Sequence, residues 1–511
     1  MLPQCLIGVD IGTSNIKAVA FGLDGAELLI ESTPTITHYP GADRAYFEPE
    51  EIWDAICRVL RPLCHKLGDL AQPAAIAFTS MGEAAIPLDA QGRHTYPAIA
   101  WYDRRTVPQV EWWREAIGAE ETAQITGLPL NPIFGITKLL WIRQHQPDAF
   151  TRTVRWLNMA DYGAYRLSGA QCTDMSLASR MLVLDLKERR WSTRLLNALE
   201  LPVELLGELA PSGVQVGAVH AEAAAQTGLP QGLPVVSGGH DHICGALALG
   251  ITEPGDVFDS MGTAEGLFIA TEQPVHNAQT MASGVGQGVH TRAGRYYAMS
   301  GLYFAGGCID WVRRLLLAYA PDQSFDKLIE LANAVPPGSE GVTFLSHLRM
   351  ANPPIIDSHS RGAFVGLSSA AGPGHLARAA IEGVAYEYHF AYESIVKTFG
   401  LAPGRLIVTG GGSRNRLLLQ IKAALVKRPL LLPQINEATC LGAAMLGGIG
   451  AGVYASFEDA AAQVQFKTDV IEPDVRLHEI YAERFQEVYL KLYPALREIN
   501  RTISTRFVES A

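Results

Sequence analysis

Four short stretches of this sequence combine residue types that handle anions and protons. The first is Asp10-Ile11-Gly12-Thr13-Ser14-Asn15, with Lys17 two places on. A glycine lets the backbone approach an anion, and successive N–H groups with the Thr13 and Ser14 hydroxyls can cradle phosphate. Asp10 ends an apolar run and is placed to hold Mg2+, usually through water, because that ion keeps much of its hydration shell. Alone, the stretch is equally an ordinary hairpin with Gly and Asn as turn formers. The second stretch, residues 258–270, reads as another version of the device: an apolar run with Asp259, then Gly262-Thr263, then a further apolar run. Two such turns shift the reading toward phosphate, since a triphosphate needs contacts from both sides of a cleft.

The third stretch runs from Leu406 through Gly410-Gly411-Gly412 to Asn415, ahead of a helical run at 416–426. A strand that ends in three glycines and opens a helix brings backbone against a flat or anionic ligand. It is not the G-x-G-x-x-G dinucleotide fingerprint, and no acidic residue follows at the spacing that grips a ribose. As the third of a set it fits an adenosine pocket. In the fourth, Val235-Val236-Ser237-Gly238-Gly239-His240-Asp241-His242, a strand enters two glycines and then a small-residue helix. Asp241 reads as a base that accepts a proton from an attacking hydroxyl; a helix N-cap is its plainer and compatible role. His240 and His242, two places apart with no third ligand, make a poor metal pair.

These stretches need elements to position them. Residues 5–21 read as strand, turn and strand, and some 250 residues later the pattern returns. Two halves that each open this way predict a bilobal α/β protein with a deep cleft between lobes, 1–253 and 254–511, divided at Glu253-Pro254-Gly255. Helical periods are expected at 50–66, 108–117, 191–199, 324–334 and 375–400, and a charged helix at 477–507. Residues 438–457 carry no charge and are long enough to span a bilayer. Their five glycines and many alanines favour a tightly packed soluble helix instead.

The whole chain limits the classes open to it. Its 511 residues are 48% hydrophobic and 18% charged, ample for large buried cores and against disorder. A net charge of −11 without a long Lys/Arg run argues against nucleic-acid or membrane-surface partners. Seven scattered cysteines with no C-x-x-C pair, and no signal-peptide pattern at the N-terminus, point to a reducing cytoplasm.

Taken together with further segments, the four stretches resemble the FGGY carbohydrate kinases, a branch of the actin/hexokinase superfamily with two ribonuclease-H-like lobes. The further segments include Trp101-Tyr102-Asp103-Arg104-Arg105, Ala160-Asp161-Tyr162, Thr173-Asp174 with Ala178-Ser179-Arg180, Glu382-Gly383 and Leu441-Gly442-Ala443-Ala444. The likeness spans roughly residues 4–455, and the order and spacing carry it rather than any one motif. It implies ATP- and Mg2+-dependent phosphorylation of a sugar or polyol hydroxyl, with Asp241 as base and Asp10 and Asp241 at the metal. Gly12, Thr13, Ser14 and Lys17 then belong to the first phosphate loop and Gly262 and Thr263 to the second. Gly306, Gly410, Gly411, Gly412 and Asn415 complete the nucleotide site. The family often forms dimers, which makes a homodimer one expectation.

The resemblance also places a sugar pocket at Met81 and Glu83, with Trp101 as a flat face for sugar C–H groups. Asp103 and Arg105 follow on the same segment, where an Asp–Arg structural pair is an equal reading. Glu265, beside Gly262-Thr263, departs from the family's small or apolar residue. If Glu265 and Glu83 both face the cleft, an anionic substrate such as gluconate is repelled. His242 stands where an amide is commoner. Pro132-Ile133-Phe134 lacks the tyrosine of glycerol kinases, which disfavours glycerol. The pattern is most like the xylulokinases, which act on the C5 hydroxyl of D-xylulose; ribulose, a tetrulose, erythritol or a deoxyketose stay open. An ATP-driven assembly protein with the same lobes would need the phosphate turns but not Asp241, Trp101 and Glu83 converging. A nicotinamide dehydrogenase fails for want of its fingerprint.

Overall fold

Residues 5–9 and 11 are apolar in both side-chain phases, the pattern of a strand covered on both faces, and all of β1 (Gln4–Ile11) except Gln4 and Asp10 is buried. This computed structural model describes residues 2–41 and 43–508. β1 turns into β2 (Asn15–Gly22), antiparallel with Asp10 opposite Lys17. β3 (Glu27–Pro34) extends the meander. α1 (Pro49–Leu67) buries Ile52, Ile56, Val59, Leu60 and Leu63, a helical stripe that covers β2 and β3. It leads to β4 (Gln72–Ser80), parallel to β1. β5 (Gln215–Ala218) and β6 (Pro234–His240) complete a sheet of order β5-β6-β4-β1-β2-β3 among the described residues.

The second sheet repeats the plan. β7 (Val257–Met261) is antiparallel to β8 (Glu265–Thr271) and parallel to β11 (Leu406–Thr409), as β1 is to β2 and β4. With β9 (Gly286–Val289), β10 (Tyr296–Leu302), β12 (Leu430–Pro433) and β13 (Thr468–Ile471) the order is β9-β10-β8-β7-β11-β12-β13. This duplicated α/β arrangement is the ribonuclease-H-like one. Each central hairpin turn lies beyond the carboxyl end of parallel strands, where open α/β sheets bind ligands.

The chain leaves the first sheet through α2 (Asp241–Ala248), which continues directly from β6. The second lobe's helices are α3 (Gly306–Leu316), α4 (Pro373–Phe399) and α5 (Arg416–Val426). α6 (Ala438–Gly450) follows the second sheet's strand β12 in the chain yet packs on β1, β4, β6 and α2. A Cβ on Gly442 would lie 1.9 Å from the Cys244 carbonyl oxygen, so the backbones of α6 and α2 meet there. The small residues of 438–450 serve that contact; among the described residues no helix is long and apolar enough to cross a membrane. α7 (Val475–Arg484) and α8 (Leu490–Ile503) close the chain, with Tyr481, Phe485 and Tyr489 buried against Tyr386 of α4.

Candidate active site

Two carboxylates set the chemistry at the centre. Asp241 is the first residue of α2, and His240 takes the capping position, so the plain N-cap role does not fall to Asp241. Its Oδ1 accepts from the His242 main-chain N at 2.6 Å and lies 2.8 Å from His242 Nδ1 and 3.0 Å from His240 Nδ1. Burial pushes the carboxyl up, but His242 and His240 outweigh it and hold it well below the usual carboxylate range. Burial likewise opposes a charge on His242, and the Asp241 carboxylate overrides it, raising the imidazole pKa. Asp241 is therefore held as the anion.

Asp10 ends β1 in the opposite condition. Burial first, and the Asp241 charge next, push its carboxyl up to about 8 against the pull of Lys17. Its Oδ1 is buried without a hydrogen-bond partner. An orphaned, oxygen-only acceptor coupled to a second carboxylate is the donor chemistry a hard dication answers, so Asp10 and Asp241 fit Mg2+.

Beneath them a hydrogen-bonded support runs to the main chain. His240 N donates to Ser176 Oγ at 2.9 Å, and Ser176 in turn donates to Asp174, which gives the Thr173-Asp174 segment its purpose.

The first turn is held by its carbonyls. Gly12 N donates to Asn15 O at 3.1 Å, Thr35 Oγ1 donates to Gly12 O at 2.7 Å, and Thr35 N donates to Ser14 O at 2.9 Å. Thr13 is half-buried and Ser14 exposed at the rim. Lys17 differs from expectation: its ammonium is 2.8 Å from Glu437, the residue before α6, and is not free toward an anion. In the second turn, Thr263 O accepts from Ala305 N at 2.9 Å and Gly307 N at 3.1 Å, so the entry to α3, including Gly306, is seated on Gly262-Thr263. The glycine run adjoins this turn. Gly410 has φ 91° and a Cβ there would lie 2.4 Å from Met261 O, which only glycine accommodates. Gly411 and Gly412 form one tight turn, and Asn415 Oδ1 caps α5 by accepting from Leu418 N at 3.1 Å.

Around the expected sugar pocket the side chains are more committed than the sequence implies. Trp101 is 36% exposed, and its Nε1 donates to Thr13 Oγ1 at 3.1 Å, joining the flat face to the first turn. Met81 is buried, its sulfur 3.8 Å from Thr13 Oγ1. Glu83, at φ 64°, is paired with Arg180 at 2.5 Å, and Arg180 covers Phe134. Asp103 and Arg105 bind each other at 2.7 Å, nearly fully buried, and Asp103 also accepts from Ala45 N at 2.7 Å. They form the structural pair.

Glu265 corrects the sequence reading outright. It is in phase with Leu267 and Ile269, on the face of β8 that packs into the lobe core, and its carboxylate lies 2.6 Å from Lys422. Lys422 also holds Asp259 at 2.8 Å, so Asp259 is no counterpart of Asp10: the two turns share a backbone plan and not a carboxylate role. With Glu83 neutralised by Arg180 and Glu265 turned away, the expected repulsion of an anionic substrate loses its source.

Arg180, Lys422 and Glu437 are the residues sequence reasoning missed. Each partner lies 97 or more positions from the residue it serves, beyond any local pattern. For Glu265, its phase with Leu267 along the strand was the available signal.

Known proteins match this chain over nearly its whole length. Models of the N-terminal and C-terminal domains of the FGGY family of carbohydrate kinases match residues 5–248 and 258–451. The xylulose kinase of Bacillus subtilis (strain 168) is 26% identical over 98% of this chain and 99% of its own length. The glycerol kinase of Ralstonia nicotianae is 32% identical over 90% of this chain and 92% of its own. The crystal structure of xylulose kinase from Rhodospirillum rubrum superimposes with a TM-score of 0.88 at 29% identity, covering 97% of this chain and 99% of that one.

Proposed function

The chain belongs to the FGGY family of carbohydrate kinases and is a phosphotransferase, and from that premise we propose that it carries the γ-phosphoryl group of ATP to a hydroxyl of a neutral ketopentose, D-xylulose to D-xylulose 5-phosphate. The observation that carries the reaction is Asp241, held ionised at the start of α2 beside Asp10. The choice of sugar is supported by full-length likeness to proteins named xylulose kinase.

In this reading the sugar hydroxyl sits against Asp241. Oδ1 is hydrogen-bonded to His242 and faces His240 Nδ1 at 3.0 Å, so Oδ2 takes the proton as the new O–P bond forms and the bond to the β-phosphate bridging oxygen breaks, releasing ADP. The transition state is loose, and alignment and charge compensation do most of the work. The main-chain amides and hydroxyls of Thr13, Ser14, Gly262 and Thr263 would cradle the triphosphate. Asp10 and Asp241 would hold Mg2+, which supplies neutralisation of phosphate charge when bound. Gly410, Gly411 and Gly412 would flank the adenosine, with Asn415 fixing their exit into α5, and Gly306 would support the second turn. Trp101, through its bond to Thr13, would couple sugar contact to the first phosphate turn, while Met81 and the Glu83–Arg180 pair line the sugar side. A cytoplasmic setting accords with seven free cysteines.

A glycerol-type reading has the 32% identical relative in its favour. Against it, Phe134 is buried under Arg180 and offers no hydroxyl. Coupled ADP release with Mg·ATP across D-xylulose, D-ribulose, L-fuculose, erythritol, glycerol and gluconate tests the proposal. A kcat/KM for D-xylulose at least tenfold above the others supports it. A preference for glycerol or gluconate overturns the substrate and leaves the reaction class standing.

A further inference from the structure

His240 and His242 lack a third ligand in the sequence, and in the folded chain Asp241, between them, becomes one. A nitrogen of each imidazole and an oxygen of the carboxylate all lie within 4.8 Å of one another. The carboxylate edges measure 3.0 Å to His240 Nδ1 and 2.8 Å to His242 Nδ1. Ligands bound at about 2.1 Å stand about 3.0 Å apart at the right angles of an octahedron and about 3.4 Å apart in a tetrahedron, so the two carboxylate edges are those of an octahedral set.

The two rings are also fixed in place. His240 is 3% exposed, and its Nδ1, aimed at Asp241, has no aligned hydrogen-bond partner. Its main chain is anchored on Ser176, and its ring fills the space a side chain at Gly82 would need: a Cβ there would lie 2.6 Å from His240 Cδ2. His242 comes from the other side of the group and stacks on Phe268 of β8, ring centroids 5.2 Å apart at 23°. The cluster thus has one wall in each lobe.

We propose that His240, Asp241 and His242 bind a first-row transition-metal dication through two imidazole nitrogens and one carboxylate oxygen, and that an ion there switches the phosphotransferase off by occupying Asp241. Mg2+ takes oxygen ligands, whereas imidazole suits Zn2+, Co2+ and their neighbours, so the added nitrogens change which ion is preferred. The binding stands on the geometry of the cluster. The switching rests on the reading of Asp241 as the base.

The test is Mn2+ titrated into the full-length, nucleotide-free protein and read by pulsed EPR, where directly bound imidazole imposes nitrogen modulation. Wild type is compared with His242→Gln and with His240→Asn, each checked by thermal unfolding; His242 is part-exposed, so its variant keeps the readout if His240→Asn fails to fold. Expected are nitrogen modulation in wild type, its loss in His242→Gln, displacement of Mn2+ by Zn2+, and a fall in Mg·ATP turnover of at least tenfold that a chelator reverses. Mn2+ bound without nitrogen modulation, or modulation that survives in His242→Gln, overturns the site. Zn2+ that displaces Mn2+ yet leaves turnover unchanged overturns the switch, whereas the reading of Asp241 as base falls only if Asp241→Asn keeps its turnover.

Discussion

Three carboxylates that look alike in the sequence end in three different settings: Asp241 is stabilised as an anion, Glu83 is cancelled by Arg180, and Glu265 is driven toward its neutral form. Burial, with the neighbouring Asp259 charge next, pushes Glu265 up to about 8 despite Lys422, so near neutrality the Asp259–Lys422–Glu265 group carries one proton more than its residues suggest. Removing the only cation from it strands buried charge, so Lys422→Met is expected to cost about 3–5 kcal/mol in urea unfolding. Glu265→Gln, which mimics the protonated form, is expected to cost less than about 1 kcal/mol at pH 7. The pH dependence has a definite sign. A carboxyl raised on folding contributes stability that is full below about pH 4.5 and is lost as pH rises through about 8. Glu265→Gln should flatten that slope, and an unchanged slope contradicts the assignment. The turns at Asp10, Asp241 and the glycine run were legible in the sequence because each is a local pattern. The partners of Glu83, Glu265 and Lys17 were not, since tertiary packing alone brings Arg180, Lys422 and Glu437 to them.

At the scale of elements, strand–turn–strand units were readable from apolar runs interrupted by Asp and Gly, and α1, α4 and the helical C-terminal segment from their periodicity. The destination of α6 was not. Its Ala/Gly composition announces close packing but not against what, and the answer is the first lobe's sheet and the helix carrying Asp241. This contact is expected to be sensitive. Gly442→Val drives a side chain into the Cys244 carbonyl, with an expected loss of about 1–3 kcal/mol. Because α2 moves with it, kcat should fall while KM for the sugar changes little. A Gly442→Val enzyme with wild-type kcat would show that α6 does not position Asp241.

As a whole the molecule repeats one sheet plan twice, and in the proposed function each copy offers a phosphate turn while the segment between them offers the base. Such a design gains from closing, which excludes water as a competing phosphoryl acceptor. The radius of gyration from X-ray scattering is expected to shrink when a non-hydrolysable ATP analogue and the sugar are present together, and not with either alone. The central claim, that Asp241 is the base of a phosphoryl transfer, is tested most directly by Asp241→Asn. Turnover and nucleotide binding should be measured on the same preparation. A kcat reduced by about 10²–10⁴ with ATP affinity within a few-fold of wild type is the predicted result. Turnover that survives the substitution would contradict the account.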